Sequence, residues 1–80
     1  MSYIVYVLQD EVGRLYKGMT NDIERRIAEH RRGKTRTTRL MRNIHIVYTE
    51  DHQTKKEAFI RERYLKTAAG RRFLKRILGT

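Results

Sequence analysis

The chain has 80 residues, no cysteine and no proline, and carries 19 Lys and Arg against 9 Asp and Glu, a net charge of +10. That length fits one small domain over residues 1–80, and the lack of cysteine excludes disulfides, thiolate zinc sites and iron–sulfur clusters and fits a reducing, cytoplasmic setting. No apolar run approaches the roughly 20 residues that span a bilayer, and an arginine-rich positive charge points to nucleic-acid phosphate before a membrane surface.

Tyr3-Ile4-Val5-Tyr6-Val7-Leu8 is β-branched and aromatic and reads as a strand, with nothing in it that resembles a leader peptide. Residues 9–13 form a turn in which Gly13 is free to take positive φ. Residues 14–18 read as a second strand ended by Gly18, so the two strands make a hairpin. Asn21 is placed to cap a helix, with Glu24 completing a capping-box-like pair. This helix runs to about Arg32 and stops at Gly33. Residues 34–43 are cationic and rich in hydroxyls, a loop or one short helical turn. Residues 44–49 read as a third strand. Thr54 and Glu57 form a capping box that opens a second long helix, which ends near Ala69 ahead of Gly70. Residues 71–78 form a last short helix. The order is ββα-β-αα.

Two helical faces carry unexpected residues. Ile23, Arg26, Ile27 and His30 recur at i, i+3, i+4 and i+7, on one face of the first helix. A cation on such a face is costly unless it is paired or opens to a ligand. His30 reads as a satisfied core histidine, a phosphate donor or a proton shuttle. On the second helix, Ala58, Glu62, Leu65 and Ala69 form a narrow inward stripe with one carboxylate in it. That carboxylate needs a partner, a proton or a metal, and pairing with one of the many arginines is the plain alternative. Tyr6 shares its strand face with Ile4 and Leu8, which accounts for its ring but leaves its hydroxyl free. Tyr16 also sits where tyrosine packs well. Gly18 is either a turn residue or a point where a ligand approaches bare backbone. Lys34, Arg36, Arg39 and Arg42 are the candidate contacts to backbone phosphates. His45 and His52 read as incidental.

The ordered set of Tyr6, Tyr16, Gly18, Thr20, Asp22, Arg26, His30, Thr38-Arg39, Ala58 and Glu62 resembles the GIY-YIG nuclease superfamily, and in particular its small single-domain bacterial branch. The resemblance covers about residues 3–78. It implies an α+β fold, a three-stranded antiparallel sheet flanked by helices, and metal-dependent hydrolysis of phosphodiester bonds in nucleic acid, DNA foremost. It implies that Glu62 holds one divalent metal (magnesium, or manganese in its place) and that Arg26 faces the scissile phosphate. Tyr6 becomes the candidate for activating the attacking water. Tyr16 and His30 complete the hydrogen-bond network, and Gly18 keeps the floor of the site clear. The chain departs from the pattern at Ile4 and Val5, which replace Gly-Ile, and at Lys17, which replaces isoleucine and adds a charge beside the site. The late asparagine of larger relatives has no counterpart after Asn43. A non-catalytic nucleic-acid-binding module of the same fold, or an interaction protein with a basic face, are the rival readings.

Overall fold

Every residue from Val5 to Leu8 is apolar or aromatic, so the strand that carries them must be covered on both faces. The structure, a computed structural model that describes residues 2–79, places this strand at the centre of the sheet. The elements are β1 (Tyr3–Gln9), β2 (Leu15–Thr20), α1 (Ile23–Arg31), β3 (His45–His52), α2 (Lys55–Leu65) and α3 (Ala68–Leu78). The sheet order is β2-β1-β3, antiparallel throughout. The fold expected from the resemblance is therefore the fold found.

The period-2 alternation of β1 divides the core in two. Val5 and Val7 pack with Ala58, Leu65 and Leu74 beneath α2 and α3, joined by Phe73, Leu15 and Met19. Tyr6 and Leu8 pack with Ile27 and Ile44, joined by Ile4, Tyr16, Ile23 and Met41, beneath α1. Each fully buried Val or Leu contributes about 1.5–3 kcal/mol. The register pairs Tyr6 with Gly18 and Leu8 with Tyr16, so both tyrosines share the α1 face of the hairpin.

The hairpin turn is locked by Asp10. Its buried carboxylate accepts from the backbone N–H groups of Val12 (3.1 Å) and Arg14 (2.7 Å) and from Arg14 Nε (2.7 Å). Burial pushes its pKa up, but these donors more than offset that and hold it below the ordinary value.

Several boundaries differ from those read in the sequence. β2 continues to Thr20, so Gly18 lies inside the strand instead of ending it. Asp22, not Asn21, caps α1, its side chain accepting from Arg25 N at 3.1 Å. The Thr20 hydroxyl receives Asp22 N (3.1 Å) and fixes the bend one residue later than expected. β3 runs on to His52. α2 keeps its capping box at Thr54 and Glu57 but ends at Leu65, and Thr67 caps a full third helix. Gly70 is thus interior to α3. A Cβ there would lie 2.1 Å from the Tyr64 carbonyl oxygen, so its role is to let two helices abut. Ala69 accordingly belongs to α3 and drops out of the stripe of Ala58, Glu62 and Leu65.

Candidate active site

The site begins at Tyr6, which is fully buried although it carries a hydroxyl. Such a group needs partners. Its oxygen lies 2.8 Å from His30 Nε2 and 3.4 Å from Arg26 Nε, which donates to it. His30, 2% exposed, reaches Thr38 Oγ1 through Nδ1 at 2.7 Å. Thr38 in turn faces the Thr35 carbonyl at 3.5 Å. Arg26 can only donate, so the phenolic proton of Tyr6 is left to point at His30 Nε2. The tautomer with its proton on Nδ1 then gives every donor in the chain an acceptor: Arg26 to Tyr6, Tyr6 to His30, His30 to Thr38, Thr38 to Thr35.

Glycine is required beneath this chain. A Cβ on Gly18 would stand 2.6 Å from the Tyr6 hydroxyl, 2.7 Å from its Cζ and 3.0 Å from Tyr16 Cε1. Tyr16 packs edge-on against His30 with ring centroids 4.9 Å apart. Tyr6, Tyr16, Gly18, Arg26 and His30 therefore come together from β1, β2 and α1.

Electrostatics set the resting protonation. Burial pushes the Tyr6 phenol up to about 12; the Arg26 hydrogen bond works against this, and Tyr16 and Glu62 add to it. Burial, then the Arg26 charge, holds His30 below its usual 6.5. At neutral pH the pair is a phenol beside a neutral imidazole. Arg26 stays protonated, its guanidinium strengthened first by Glu29 (Nη1 to Oε1, 3.0 Å) and then by Tyr6. Glu29 sits three residues beyond Arg26, at helical pair spacing, and the sequence reading passed over it.

Glu62 comes from α2, which packs on the opposite face of the sheet from α1. Among the described residues no hydrogen bond, ion pair or shared cleft joins it to Tyr6, Tyr16, Arg26 or His30, so it stands outside their cluster and is tied to it only through a small electrostatic effect on Tyr6. Its side chain is 14% exposed and pairs with Lys66 at 3.1 Å. The partner is thus a lysine one turn on, at the C-cap of the same helix and half in solvent, and not one of the arginines weighed as the plain alternative. Among the described residues no three His, Cys, Asp or Glu side chains group together, and no helix is long and apolar enough to cross a membrane.

The cationic loop of residues 34–43 is a run of turns, held by Thr38 N to Thr35 O and Met41 N to Thr38 O. Its end is tied to the hairpin by Glu11 N to Arg42 O and Asn43 Nδ2 to Glu11. Lys34, Arg36, Arg39 and Arg42 are all exposed. His30, Gly33, Arg39, Met41 and Asn43 line an open cleft of about 700 Å³. A second cleft of about 410 Å³ is lined by Thr20, Arg26, Glu29 and Lys55. Arg26 thus opens to one cleft, while the nearly buried His30 backs the wall of the other. Lys17 lies on the opposite face of β2 from the tyrosines.

A three-stranded antiparallel sheet with this tyrosine, arginine and histidine cluster on its α1 face makes a small α+β domain. The chain belongs to the GIY-YIG family: the family model for the GIY-YIG catalytic domain matches residues 2–75. It is 39% identical over 67 residues to a UPF0213 protein of Staphylococcus aureus strain Mu3, covering 82% of each chain, and equally to one of strain N315. It is also similar to the solution NMR structure of a UPF0213 protein from Bacillus halodurans. That likeness has 31% identity and a TM-score of 0.60, over 96% of this chain and 85% of the other.

Proposed function

We propose that this single domain is a metal-dependent endonuclease that hydrolyses phosphodiester bonds in nucleic acid, with DNA as substrate and one magnesium ion (or manganese) as cofactor. The observation that carries the reading is the Arg26–Tyr6–His30 chain of hydrogen bonds held above Gly18, at 3.4 and 2.8 Å. Any buried hydroxyl needs partners, but here one of them is a cation that also opens to a cleft able to take an anion.

Glu62 fits the metal by the chemistry of its donors. An isolated carboxylate suits magnesium, which keeps several waters and takes one or two carboxylates with a substrate phosphate; it does not suit zinc, which prefers nitrogen and sulfur. When bound, magnesium supplies a Lewis acid that steadies the charge on the leaving oxygen.

The remaining work belongs to side chains. Arg26 offers a planar guanidinium to the equatorial oxygens of the scissile phosphate. To reach them it gives up only a long bond to Tyr6 and shares its contact with Glu29. Tyr6 takes a proton from the attacking water as it passes its own to His30 Nε2, so no free phenolate is required. Tyr16 holds the His30 ring edge-on. Lys17, Lys34, Arg36, Arg39 and Arg42 hold backbone phosphates on either side. The absence of cysteine fits a cytoplasmic setting.

Two observations favour the rival, a non-catalytic nucleic-acid-binding module: Tyr6 has no exposed surface, and Glu62 is engaged by Lys66. A supercoiled plasmid decides between them. The expected result is nicking with magnesium or manganese and none with EDTA. Steeply salt-dependent DNA binding without nicking under either metal would leave the binding module in its place. In both cases Arg36, Arg39 and Arg42 changed together to alanine should weaken all sequences alike and flatten the salt slope, at about 0.9 per phosphate lost.

A further inference from the structure

Lys17, placed above among the phosphate contacts, shares one corner with two further cations, Lys66 and Arg71, each from a different element. The alternation of β2 puts Lys17 opposite Val7, on the α2 and α3 face. Val7 packs there with Leu65 and Leu74. Lys66 caps the end of α2, and Arg71 Nη1 donates to the Lys66 carbonyl at 2.8 Å. The close approach at Gly70 presses the start of α3 against the end of α2, which brings Arg71 within reach of the Lys66 carbonyl. Burial, then the charges of Arg71 and Lys66, holds the Lys17 ammonium below its ordinary pKa. Among the described residues neither Lys17 nor Arg71 pairs with a carboxylate, and the partner of Lys66 is Glu62.

Gathering like charges costs free energy that an anion recovers. The position says which anion. Lys17 stands between Tyr16 and Gly18, so the cluster and the tyrosine site are the two faces of one edge strand, and Lys66 pairs with Glu62. We propose that Lys17, Lys66 and Arg71 form a second phosphate subsite, which holds the nucleic-acid backbone beyond the bond that is cut as the strand crosses the β2 edge. This rests on the nucleic-acid reading given above. It places one end of the bound strand at the α2–α3 junction, away from the cationic loop.

The test uses the 80-residue chain and a 20-base-pair DNA duplex in EDTA, so that binding is read without cutting. Lys17→Gln with Arg71→Gln is compared with the charge-matched Lys56→Gln with Lys75→Gln, both pairs checked by thermal melting. Lys56 and Lys75 are exposed and lie outside both sites. The subsite pair should lose about tenfold in affinity and lower the salt slope by about one unit, and Arg71→Lys should restore most of the loss. Equal losses in both pairs would reduce the effect to net charge and overturn the proposal. So would an equal loss for poly-glutamate, which would mark a generic anion patch. A parent chain that binds no duplex sinks the nucleic-acid reading as well. A parent that binds but never nicks, with the subsite loss still present, removes the nuclease reading and leaves the subsite standing.

Discussion

The Tyr6 hydroxyl lies 2.8 Å from His30 Nε2, and the two groups are unequally matched: the phenol is pushed up to about 12 while the imidazole is held below 6.5. The proton therefore rests on Tyr6 and has a place to go. A tyrosine on its own is a poor base at neutral pH, and this pairing supplies what it lacks.

Protonating His30 fills that acceptor, so cleavage should fall in acid, with a midpoint below 6.5. Stability should move the same way. The folded pKa is below the unfolded one, so the contribution is complete above pH 6.5 and is lost as pH falls through the lowered folded value. Tyr6→Phe should abolish nicking at a cost of about 1–3 kcal/mol in stability, because it leaves the ring but strips the buried His30 Nε2 of its donor. His30→Gln should flatten the acid limb of whatever activity survives. An unchanged pH profile in that variant would show that His30 only supports the fold.

Gly18→Ala tests the floor of the site. Its new methyl meets the end of a fully buried ring that has no open direction in which to retreat. The overpacking should cost about 1–3 kcal/mol in a denaturant melt. Nicking should fall far more than stability, since the Tyr6–His30 bond is what must give way. Retained nicking would mean that the ring shifts without consequence.

A second ionic network does no chemistry in this reading and offers a control. Glu50 on β3 accepts from Arg61 Nε at 3.0 Å, from His52 Nε2 at 3.0 Å and from the Tyr48 hydroxyl. Arg61 also lies over the rings of Tyr64 and Phe73. Burial raises the Glu50 carboxyl, but Arg61, Tyr48 and His52 outweigh it and hold the pKa below 4.5. Glu50→Gln should cost about 2 kcal/mol at pH 7. Because the folded pKa is lowered, the parent's advantage is complete above pH 4.5 and should shrink as pH falls through that lowered value. Nicking should not change once the variant is folded. A loss of nicking would tie this network to the site.

What the sequence made legible follows from physics that acts locally. Hydrophobic alternation located β1, the Thr54 capping box located α2, and the helical spacing of Arg26 and His30 put them on one face, where the structure finds them half-buried and buried. Two misses were local, the Asp22 cap and the Glu29 partner of Arg26; the others were set by how the chain closes on itself. Gly70 carries a stop signal in sequence, but its neighbour in space is Tyr64 of another helix. Thr38 belonged to the family-like set, yet its partnership with His30 depends on how the loop folds back. Glu50 and Arg61 lie 11 residues apart on different elements, and no periodicity joins them. Asp10 read as an ordinary turn residue, and only the closed hairpin shows that it accepts three hydrogen bonds.

Glu62 remains the residue on which the chemistry turns, and its observed partner sharpens the test. Had it paired with a buried arginine, Glu62→Gln would have stranded that charge at a cost of about 3–5 kcal/mol. Lys66 is instead 51% exposed, and an i,i+4 pair of this kind contributes about 0.3–0.5 kcal/mol. Glu62→Gln should therefore melt within about 1 kcal/mol of the parent. It should bind DNA as well or better, having lost a negative charge, and yet fail to nick. Calorimetric titration with magnesium should lose its binding heat in the same variant, because glutamine keeps the shape but not the charge that holds the ion. Lys66→Ala should act in the opposite direction on the metal: removing the competing ammonium should tighten magnesium binding while leaving Glu62 in place. A magnesium isotherm that is identical in the parent, Glu62→Gln and Lys66→Ala would place the ion elsewhere and return Glu62 to the helix surface as half of an ordinary ion pair.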